Sequence, residues 1–285
     1  MKKVVGYIYC EKKAGIDEKT FSNVAKKMNI ELVKFNVEKP IYEEELESKI
    51  KKCDIFFNNS AEKIAIEFVK TIESLGKKVI ESSESAYYFE DKWMFYMLCK
   101  EKNIPTPETI LLTNTIPLSE QELKRFNRWP VILKRIDGCM GEFVEKAENM
   151  GEARKILEKF WKGAKEREVV IAQEFIPSKS FRVTIIDGKT IQTATKDNTG
   201  WKSTGVYQKY HHKFKINLEL KKIIEKTKKA TKMEVFGLDL LKKNNHWLVL
   251  ELNSEPSLDF FPKEEEKLVK AILNLLVRKT KKIKK

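Results

Sequence analysis

Short apolar segments alternate with helix-forming segments along the first third of the chain, and this alternation constrains the fold more than any other feature. The predicted strands cover residues 4–9, 30–35, 54–57 and 78–81. The predicted helices between them cover residues 20–28, 43–52 and 61–75. Strands that alternate with helices in this way indicate a parallel α/β domain.

A proline-rich segment after this domain marks the first predicted boundary. A helix is predicted over residues 87–102, and the two prolines in residues 104–107 favour a stiff extended linker. The strands predicted beyond it cover residues 129–134, 169–176, 181–186, 190–195, 235–242 and 247–252. The helices predicted there cover residues 151–162, 218–233 and 263–277, and residues 197–215 are predicted to be irregular. We expect an N-terminal α/β domain (residues 1–104), a central subdomain (105–176) and a C-terminal subdomain (177–285).

The charge balance indicates an anionic small-molecule partner. Lysine and arginine outnumber aspartate and glutamate by 56 to 42, giving a net charge of +14, which raises the local concentration of anions. Because the basic residues are mixed with acidic ones, nucleic acid is not expected as a partner. No apolar run has the length of a membrane-spanning helix, and the amino terminus lacks the pattern of a signal peptide. These features predict a cytoplasmic protein without membrane contact.

A predicted hairpin near the carboxyl end gives the strongest indication of chemistry. Glu251 and Asn253 are two residues apart on one strand, so they project from the same face. If the turn is the three residues 244–246, Asp239 lies directly opposite Glu251. Neighbouring buried carboxylates repel each other, and a hard cation such as Mg²⁺ bound to nucleotide phosphates removes that penalty. The alternative is that these side chains face solvent at a strand end.

Three weaker motifs are typical of nucleotide binding. Lys134 ends an apolar strand before a glycine-containing loop at residues 138–141, where a lysine suits nucleotide phosphates. Asp91 and Lys92 lie where a helix opens, although Asp91 could serve only as a helix cap. Residues 173–176 follow four apolar residues and could offer backbone groups to an adenine edge, or form an ordinary strand end.

The order of these motifs over residues 85–275 resembles the ATP-grasp superfamily. The resemblance implies an ATP-grasp fold in which two α+β subdomains clamp ATP and Mg²⁺, with Lys92 and Lys134 at the phosphates. The implied metal ligands are Asp239, Glu251 and Asn253. The implied adenine-binding residues are Gln173, Glu174, Phe175 and Ile176.

The N-terminal domain resembles the inositol tris/tetrakisphosphate kinases, which share the ATP-grasp fold. Residues 5–13 match their Val-Gly-Tyr-x-x-x-x-Lys-Lys opening, and residues 29–41 match their second strand and the segment after it. The resemblance implies that Lys13 holds a substrate phosphate, that Arg182 replaces a catalytic or phosphate-binding lysine, and that Lys196 lies near a substrate-side arginine. Together with the net charge, it predicts a kinase that phosphorylates a hydroxyl of an inositol polyphosphate.

The C-terminal half instead resembles RimK-type glutamate ligases, which join a carboxylate to an amine. Glu251-Leu252-Asn253 and residues 138–141 are close to their pattern, and residues 200–204 resemble their Trp-Arg-x-Asn loop. Ser180 departs from the pattern, because an aspartate is usual there. In this alternative the ATP machinery phosphorylates a carboxylate of a polycarboxylate substrate, and an amine then displaces phosphate.

Both alternatives assign the same tasks to the phosphate-handling residues. Lys134 and Arg182 are the predicted catalytic residues, which steady the transferred phosphoryl group together with Lys92. Asn253 is also expected to face the substrate. A binding module that kept the fold without chemistry is a third alternative, and the presence of the metal trio and Lys134 disfavours it.

Overall fold

The computed structural model describes residues 2–10, 18–40, 42–136, 141–162, 167–196, 200–202, 210–255 and 261–281. For residues 43, 44, 196, 210, 211, 262 and 281 it describes the backbone only. Lys13, the loop residues 138–140 and most of the segment 197–209 lie outside the described residues. The described residues form three β-sheets, and each sheet is built from one continuous stretch of chain.

The N-terminal sheet is parallel, as the alternation of strands and helices predicts. Its strands are β1 (Lys3–Tyr9), β2 (Ile30–Asn36), β3 (Ile55–Asn59) and β4 (Val79–Ile80). They lie in the order β2-β1-β3-β4 and pair in parallel throughout. The connecting helices are α1 (Glu18–Lys27), α2 (Glu43–Lys52) and α3 (Lys63–Ser74). Because helices cover both faces of such a sheet, the buried side chains of its strands are mostly apolar.

The carboxyl edge of this sheet carries polar side chains and touches the C-terminal part of the chain. Asn36 and Asn59, at the ends of β2 and β3, are buried. The backbone N–H of Ala61, just after β3, donates to Glu255 Oε1 at 2.5 Å. Ligands of open parallel sheets bind beyond the carboxyl ends of the strands, so this contact brings that edge to the site described below.

The helix predicted over residues 87–102 is two helices. These are α4 (Ser83–Glu90) and α5 (Lys92–Glu101), and Asp91 separates them. The Asp91 carboxylate accepts from the backbone N–H groups of Trp93 and Met94 at 2.8 and 3.0 Å. That N-cap satisfies donors at the start of α5, so the chain begins a new helix there instead of extending the first.

The central sheet is antiparallel and contains more elements than the sequence predicted. Its strands are β5 (Thr109–Leu112), β6 (Val131–Arg135), β7 (Val144–Ala147) and β8 (Val170–Glu174), in the order β5-β8-β6-β7. Helices α6 (Ile116–Phe126) and α7 (Met150–Trp161) pack on one face. Strands β5 and β7 and helix α6 were not predicted from the sequence. Strand β8 is shorter than predicted, because Phe175 and Ile176 follow its end.

The C-terminal sheet is a five-stranded sheet with antiparallel pairing throughout. Its strands are β9 (Ser180–Ile186), β10 (Lys189–Lys196), β11 (Tyr210–His212), β12 (Val235–Lys243) and β13 (His246–Asn253). They lie in the order β11-β10-β9-β12-β13. The remaining elements are α8 (Leu218–Thr231), a short 3₁₀ turn (Pro262–Glu264) and α9 (Glu265–Lys281). Strand β11 lies within the segment predicted to be irregular.

The hairpin of β12 and β13 has a two-residue turn, not the predicted three-residue turn. Asn244 and Asn245 form it in the left-handed region, at φ 50° and 65°, which asparagine tolerates better than most residues. The register then shifts by one residue, so that Leu250 bulges out and Asp239 pairs with Glu251. The shorter turn and the bulge offset each other, and the predicted pairing is therefore present.

Helix α9 returns the chain to the N-terminal sheet. Leu268, Ile272 and Leu276 pack with Tyr7 and Phe21 in one apolar cluster, which also includes residues of β9 and β12. The three sheets fall within residues 1–104, 105–176 and 177–285, but this packing joins the first and last of these segments, and the division into domains remains a proposal. None of the helices in the described ranges is long and apolar enough to cross a bilayer.

Candidate active site

One face of the C-terminal sheet carries a buried polar surface, which we call the site face. It is formed by Arg182, Thr184, Gln192, Gly237, Asp239, Glu251 and Asn253. In the first row Arg182 pairs with Asp239, and Asp239 pairs with Glu251. In the second row Gln192 pairs with Thr184, Thr184 with Gly237, and Gly237 with Asn253. Paired residues on antiparallel strands share a face, so these side chains project together.

A buried ion pair lies at the centre of the site face. Arg182 Nη1 donates to Asp239 Oδ2 at 2.7 Å, and both side chains are only 7% exposed. Gly237 makes the space for this guanidinium. A Cβ added at Gly237 would lie 2.8 Å from Arg182 Nε and 2.9 Å from Nη2, closer than real Cβ atoms approach other atoms. A side chain at this position would therefore displace the guanidinium from where it now lies.

The oxygen atoms beside this pair fit a hard cation. Asp239 Oδ1 is buried and has no hydrogen-bond partner within the described ranges. Asn253 Nδ2 donates to Asp239 Oδ2 at 3.3 Å, which turns the amide oxygen of Asn253 away from that atom. Among the residues that the structure describes, no three His, Cys, Asp or Glu side chains form a metal-binding group. Two carboxylates and one amide nevertheless suit Mg²⁺, which takes one or two carboxylates and completes its shell with phosphates and water.

Lys92 reaches the site face from the start of α5. Its ammonium lies 3.6 Å from Glu251 Oε1, and its Nζ donates to the carbonyl of Ile136, just after β6, at 3.4 Å. The Asp91 cap fixes the first turn of α5, and the backbone N–H of Lys92 also bonds to Ile136 at 3.4 Å. Lys92 thus connects the end of the central sheet to the C-terminal sheet.

Lys134 is a buried cation held by a neutral amide. Its Nζ donates to Gln173 Oε1 at 2.8 Å, and Gln173 Nε2 donates to Thr109 Oγ1 at 3.0 Å. Burial lowers the pKa of the Lys134 ammonium to about 8, and Glu251 opposes that shift while Lys92 adds to it. An anionic ligand beside Lys134 would favour the charged form of its ammonium, as a nucleotide phosphate does.

A cleft lies between the central and C-terminal sheets. Its central-sheet wall consists of Ile132, Lys134, Val144, Gln173 and Glu174. The other lining residues are Phe175, Ile176, Trp201, Lys202, Leu241 and Leu250. Apolar side chains with a few polar groups among them are the usual lining of a small-molecule site.

The residues predicted at the adenine line this cleft, where the chain leaves β8 for the C-terminal sheet. Glu174 Oε1 accepts from the backbone N–H of Glu108 at 3.1 Å, and its Oε2 pairs with Lys243 at 2.6 Å. The Phe175 ring lies 4.8 Å from the Lys146 ammonium, and Ile176 is buried. The side chain of Glu174 therefore links the central sheet to β12.

The structure brings most of the predicted site residues to this cleft and to the site face beside it. Lys13 lies outside the described residues, and Lys196 is described only as a backbone position that ends β10. Thr184 and Gln192 were not predicted as site residues from the sequence. Their only signal is their spacing from Arg182 on the predicted hairpin, where polar residues alternate with apolar ones.

Comparison with known proteins identifies the family. The RimK-like ATP-grasp domain matches residues 89–275, more than half of the chain. The chain is 24% identical over 217 residues to the coenzyme gamma-F420-2:alpha-L-glutamate ligase of Methanocaldococcus jannaschii, covering 75% of each protein. It is 26% identical over 193 residues to the alpha-aminoadipate–LysW ligase LysX of Saccharolobus solfataricus, covering 65% of this chain and 68% of that protein.

The fold agrees with this match. The crystal structure of a RimK domain ATP-grasp protein from Sphaerobacter thermophilus superposes with a TM-score of 0.75 at 15% identity, over 95% of this chain and 98% of that chain. The expected ATP-grasp fold is thereby confirmed.

The interpretation as an inositol polyphosphate kinase is wrong, because these curated relatives are named as ligases and the matched domain is RimK-like. The physical reason for the error is that a parallel sheet edge and a surplus of lysine serve many anionic ligands equally well. The alternative drawn from the C-terminal half agrees with the comparisons. The chain belongs to the RimK-like ATP-grasp family.

Proposed function

We propose that this protein is an ATP-dependent carboxylate–amine ligase that joins an amino acid to a carboxylate substrate through an acyl phosphate. The observation that carries the proposal is the position of buried Lys134 and the Arg182–Asp239 pair beside one cleft. The curated relatives named above, which are glutamate and LysW ligases, support the reaction class.

In the first step a carboxylate oxygen of the substrate attacks the γ-phosphorus of ATP. An O–P bond forms, the bond to the β–γ bridging oxygen breaks, and ADP leaves with that electron pair. Lys134 and Lys92 would hold the phosphoryl oxygens in line. Mg²⁺ held by Asp239, Glu251 and Asn253 would supply neutralisation of the phosphate charge.

In the second step the amine attacks the acyl carbon. A C–N bond forms, the C–O bond to phosphate breaks, phosphate leaves with the electron pair, and one proton passes from the nitrogen to solvent. Arg182 would stabilise the negative charge on the acyl phosphate and on the departing phosphate. Its buried position makes this stabilisation stronger than it would be in water.

A product count tests this proposal against phosphoryl transfer to a hydroxyl. The protein is incubated with MgATP, L-glutamate as the amine, and N-acetylated glutamate or aminoadipate, whose own amines are blocked. We expect equal amounts of ADP, free phosphate and amide. Lys134→Met should abolish all three products, whereas Lys155→Met, the same change on the exposed face of α7, should not. ADP formed without free phosphate, or phosphate without amide, contradicts the proposal.

A further inference from the structure

Gln192 lies on the site face, and a neighbouring carboxylate fixes the orientation of its amide. Gln192 Nε2 donates to Glu264 Oε2 at 3.2 Å, and Lys213 binds the other carboxylate oxygen. The Lys213 contact holds the pKa of Glu264 below its ordinary value, and the Gln192 bond adds to the effect. Glu264 is therefore ionised at neutral pH and can only accept hydrogen bonds.

An acceptor-only neighbour determines which end of the Gln192 amide faces it. The NH₂ group must point to Glu264, so the oxygen must point the other way. The structure shows this arrangement, and Gln192 Oε1 is buried without a hydrogen-bond partner in the described part of the chain. Gln192 is 3% exposed, so this oxygen is a fixed acceptor inside the protein.

Thr184 adds a second acceptor beside the first. Thr184 pairs directly with Gln192 across β9 and β10, which places the two Cβ atoms about 5 Å apart. Its hydroxyl oxygen is also buried and has no partner among the residues that the structure describes. Two residues along β9, about 7 Å away, Arg182 pairs with Asp239. Buried acceptors that lack donors cost free energy until a ligand supplies the donors.

We propose that Gln192 Oε1 and Thr184 Oγ1 form the amine subsite, where they accept hydrogen bonds from the nucleophilic nitrogen of the second substrate. This inference rests on the proposed ligase function. A neutral primary amine has two N–H donors and one lone pair. Two acceptors therefore hold both donors and leave the lone pair free to attack the acyl phosphate beside Arg182.

The acceptor pair also predicts selectivity for the class of ligand. Carboxylates and phosphates offer no donors at neutral pH, so they leave Gln192 Oε1 without a hydrogen bond and could only accept from the Thr184 hydroxyl. An amine recovers the missing hydrogen bonds at both residues. The subsite should thus exclude the activated carboxylate and the ATP phosphates from the position of the nucleophile.

The test separates amine binding from carboxylate activation. Gln192→Met keeps the length of the side chain and removes both amide atoms, and Gln121→Met on the exposed face of α6 is the matched control. We expect Gln192→Met to raise the KM for L-glutamate about tenfold, the effect of one lost hydrogen bond at the upper end of its range. The KM for ATP should not change, nor should the hydroxamate formed from the acyl phosphate with excess hydroxylamine.

A second variant tests the orientation of the amide itself. Glu264→Gln allows the Gln192 amide to rotate, because the new neighbour can donate as well as accept. It should raise the KM for L-glutamate in the same direction without a change in unfolding temperature. The amine subsite is refuted if both variants keep the KM of the unmodified protein for L-glutamate. It is also refuted if hydroxamate formation falls as much as amide formation does. A wild-type protein that forms neither amide nor hydroxamate refutes the ligase function, and the subsite with it.

Discussion

The pKa of Lys134 predicts that ATP binding weakens as the pH rises above 8. Burial lowers this pKa to about 8 in the free protein. Bound ATP phosphates favour the charged ammonium, so they raise the pKa of Lys134 in the complex. By linkage, the nucleotide binds the protonated protein more tightly, and affinity falls as pH passes upward through the pKa of the free protein.

The magnitude follows from the protonated fraction of Lys134. With a pKa near 8 most of the ammonium is charged at pH 7, and only about one tenth remains charged at pH 9. The dissociation constant for ATP should therefore rise about tenfold between these values, a change of about 1.4 kcal/mol. Above pH 8 the protein should also take up about one proton when it binds ATP.

Calorimetric titration with a non-hydrolysable ATP analogue and Mg²⁺ measures both quantities. Repeating the titration in buffers with different ionisation enthalpies gives the proton uptake. Lys134→Met should bind more weakly at pH 7 and show little dependence on pH, because the titrating group is absent. Lys155→Met should keep the dependence of the unmodified protein. An affinity that stays flat from pH 7 to pH 9, or falls equally in Lys134→Met, refutes the assignment of Lys134 to the phosphates.

Two further predictions concern the packing of the site face and of the interior. Gly237→Ala should push the Arg182 guanidinium out of place and lower kcat about 100-fold, the cost expected for a misplacement of roughly 1 Å. Gly151→Ala in α7 should leave kcat unchanged, and equal rates for the two variants would contradict the steric argument. Burial raises the pKa of Glu81 from 4.5 to about 8. Because the folded pKa is the higher one, the stability from this group is lost as pH rises through 8. Urea unfolding should show about 2 kcal/mol less stability at pH 8 than at pH 6, and Glu81→Gln should remove that difference. If the stability of Glu81→Gln falls between pH 6 and pH 8 as much as that of the unmodified protein, Glu81 is not the source of the pH dependence.

The elements with strong periodicity were predictable from the sequence, and the short elements were not. The parallel N-terminal sheet and both C-terminal hairpins follow from runs of apolar residues. Strands β5 and β7 have four residues each, too few for a pattern to be distinguished from chance. These strands form because their backbones hydrogen-bond to neighbouring strands, β5 to β8 and β7 to β6, which is a tertiary effect.

The break between α4 and α5 shows how one side chain overrides a periodic pattern. The residues on both sides of Asp91 are compatible with one continuous helix, and sequence reasoning extended a single helix through that position. The carboxylate of Asp91 instead caps the second helix, and the new helix carries Lys92 toward Glu251. The motif at residues 91–92 was visible in the sequence, but its geometry depends on the cap.

For the site, the pairing of Asp239 with Glu251 was predictable although the turn was not. A two-residue turn and a bulge at Leu250 give the same register as the predicted three-residue turn. Thr184 and Gln192 could not be singled out, because their position depends on β9 lying between β10 and β12. The order of strands in a sheet is a property of the whole fold.

The location of the metal and the nucleotide tests the central claim most directly. The protein is crystallised with a non-hydrolysable ATP analogue and Mn²⁺ in place of Mg²⁺, and anomalous diffraction locates the ion. The account predicts Mn²⁺ bound to Asp239, Glu251 and Asn253, with the triphosphate within hydrogen-bonding distance of Lys134. An ion bound elsewhere, or a triphosphate remote from Lys134, would contradict it.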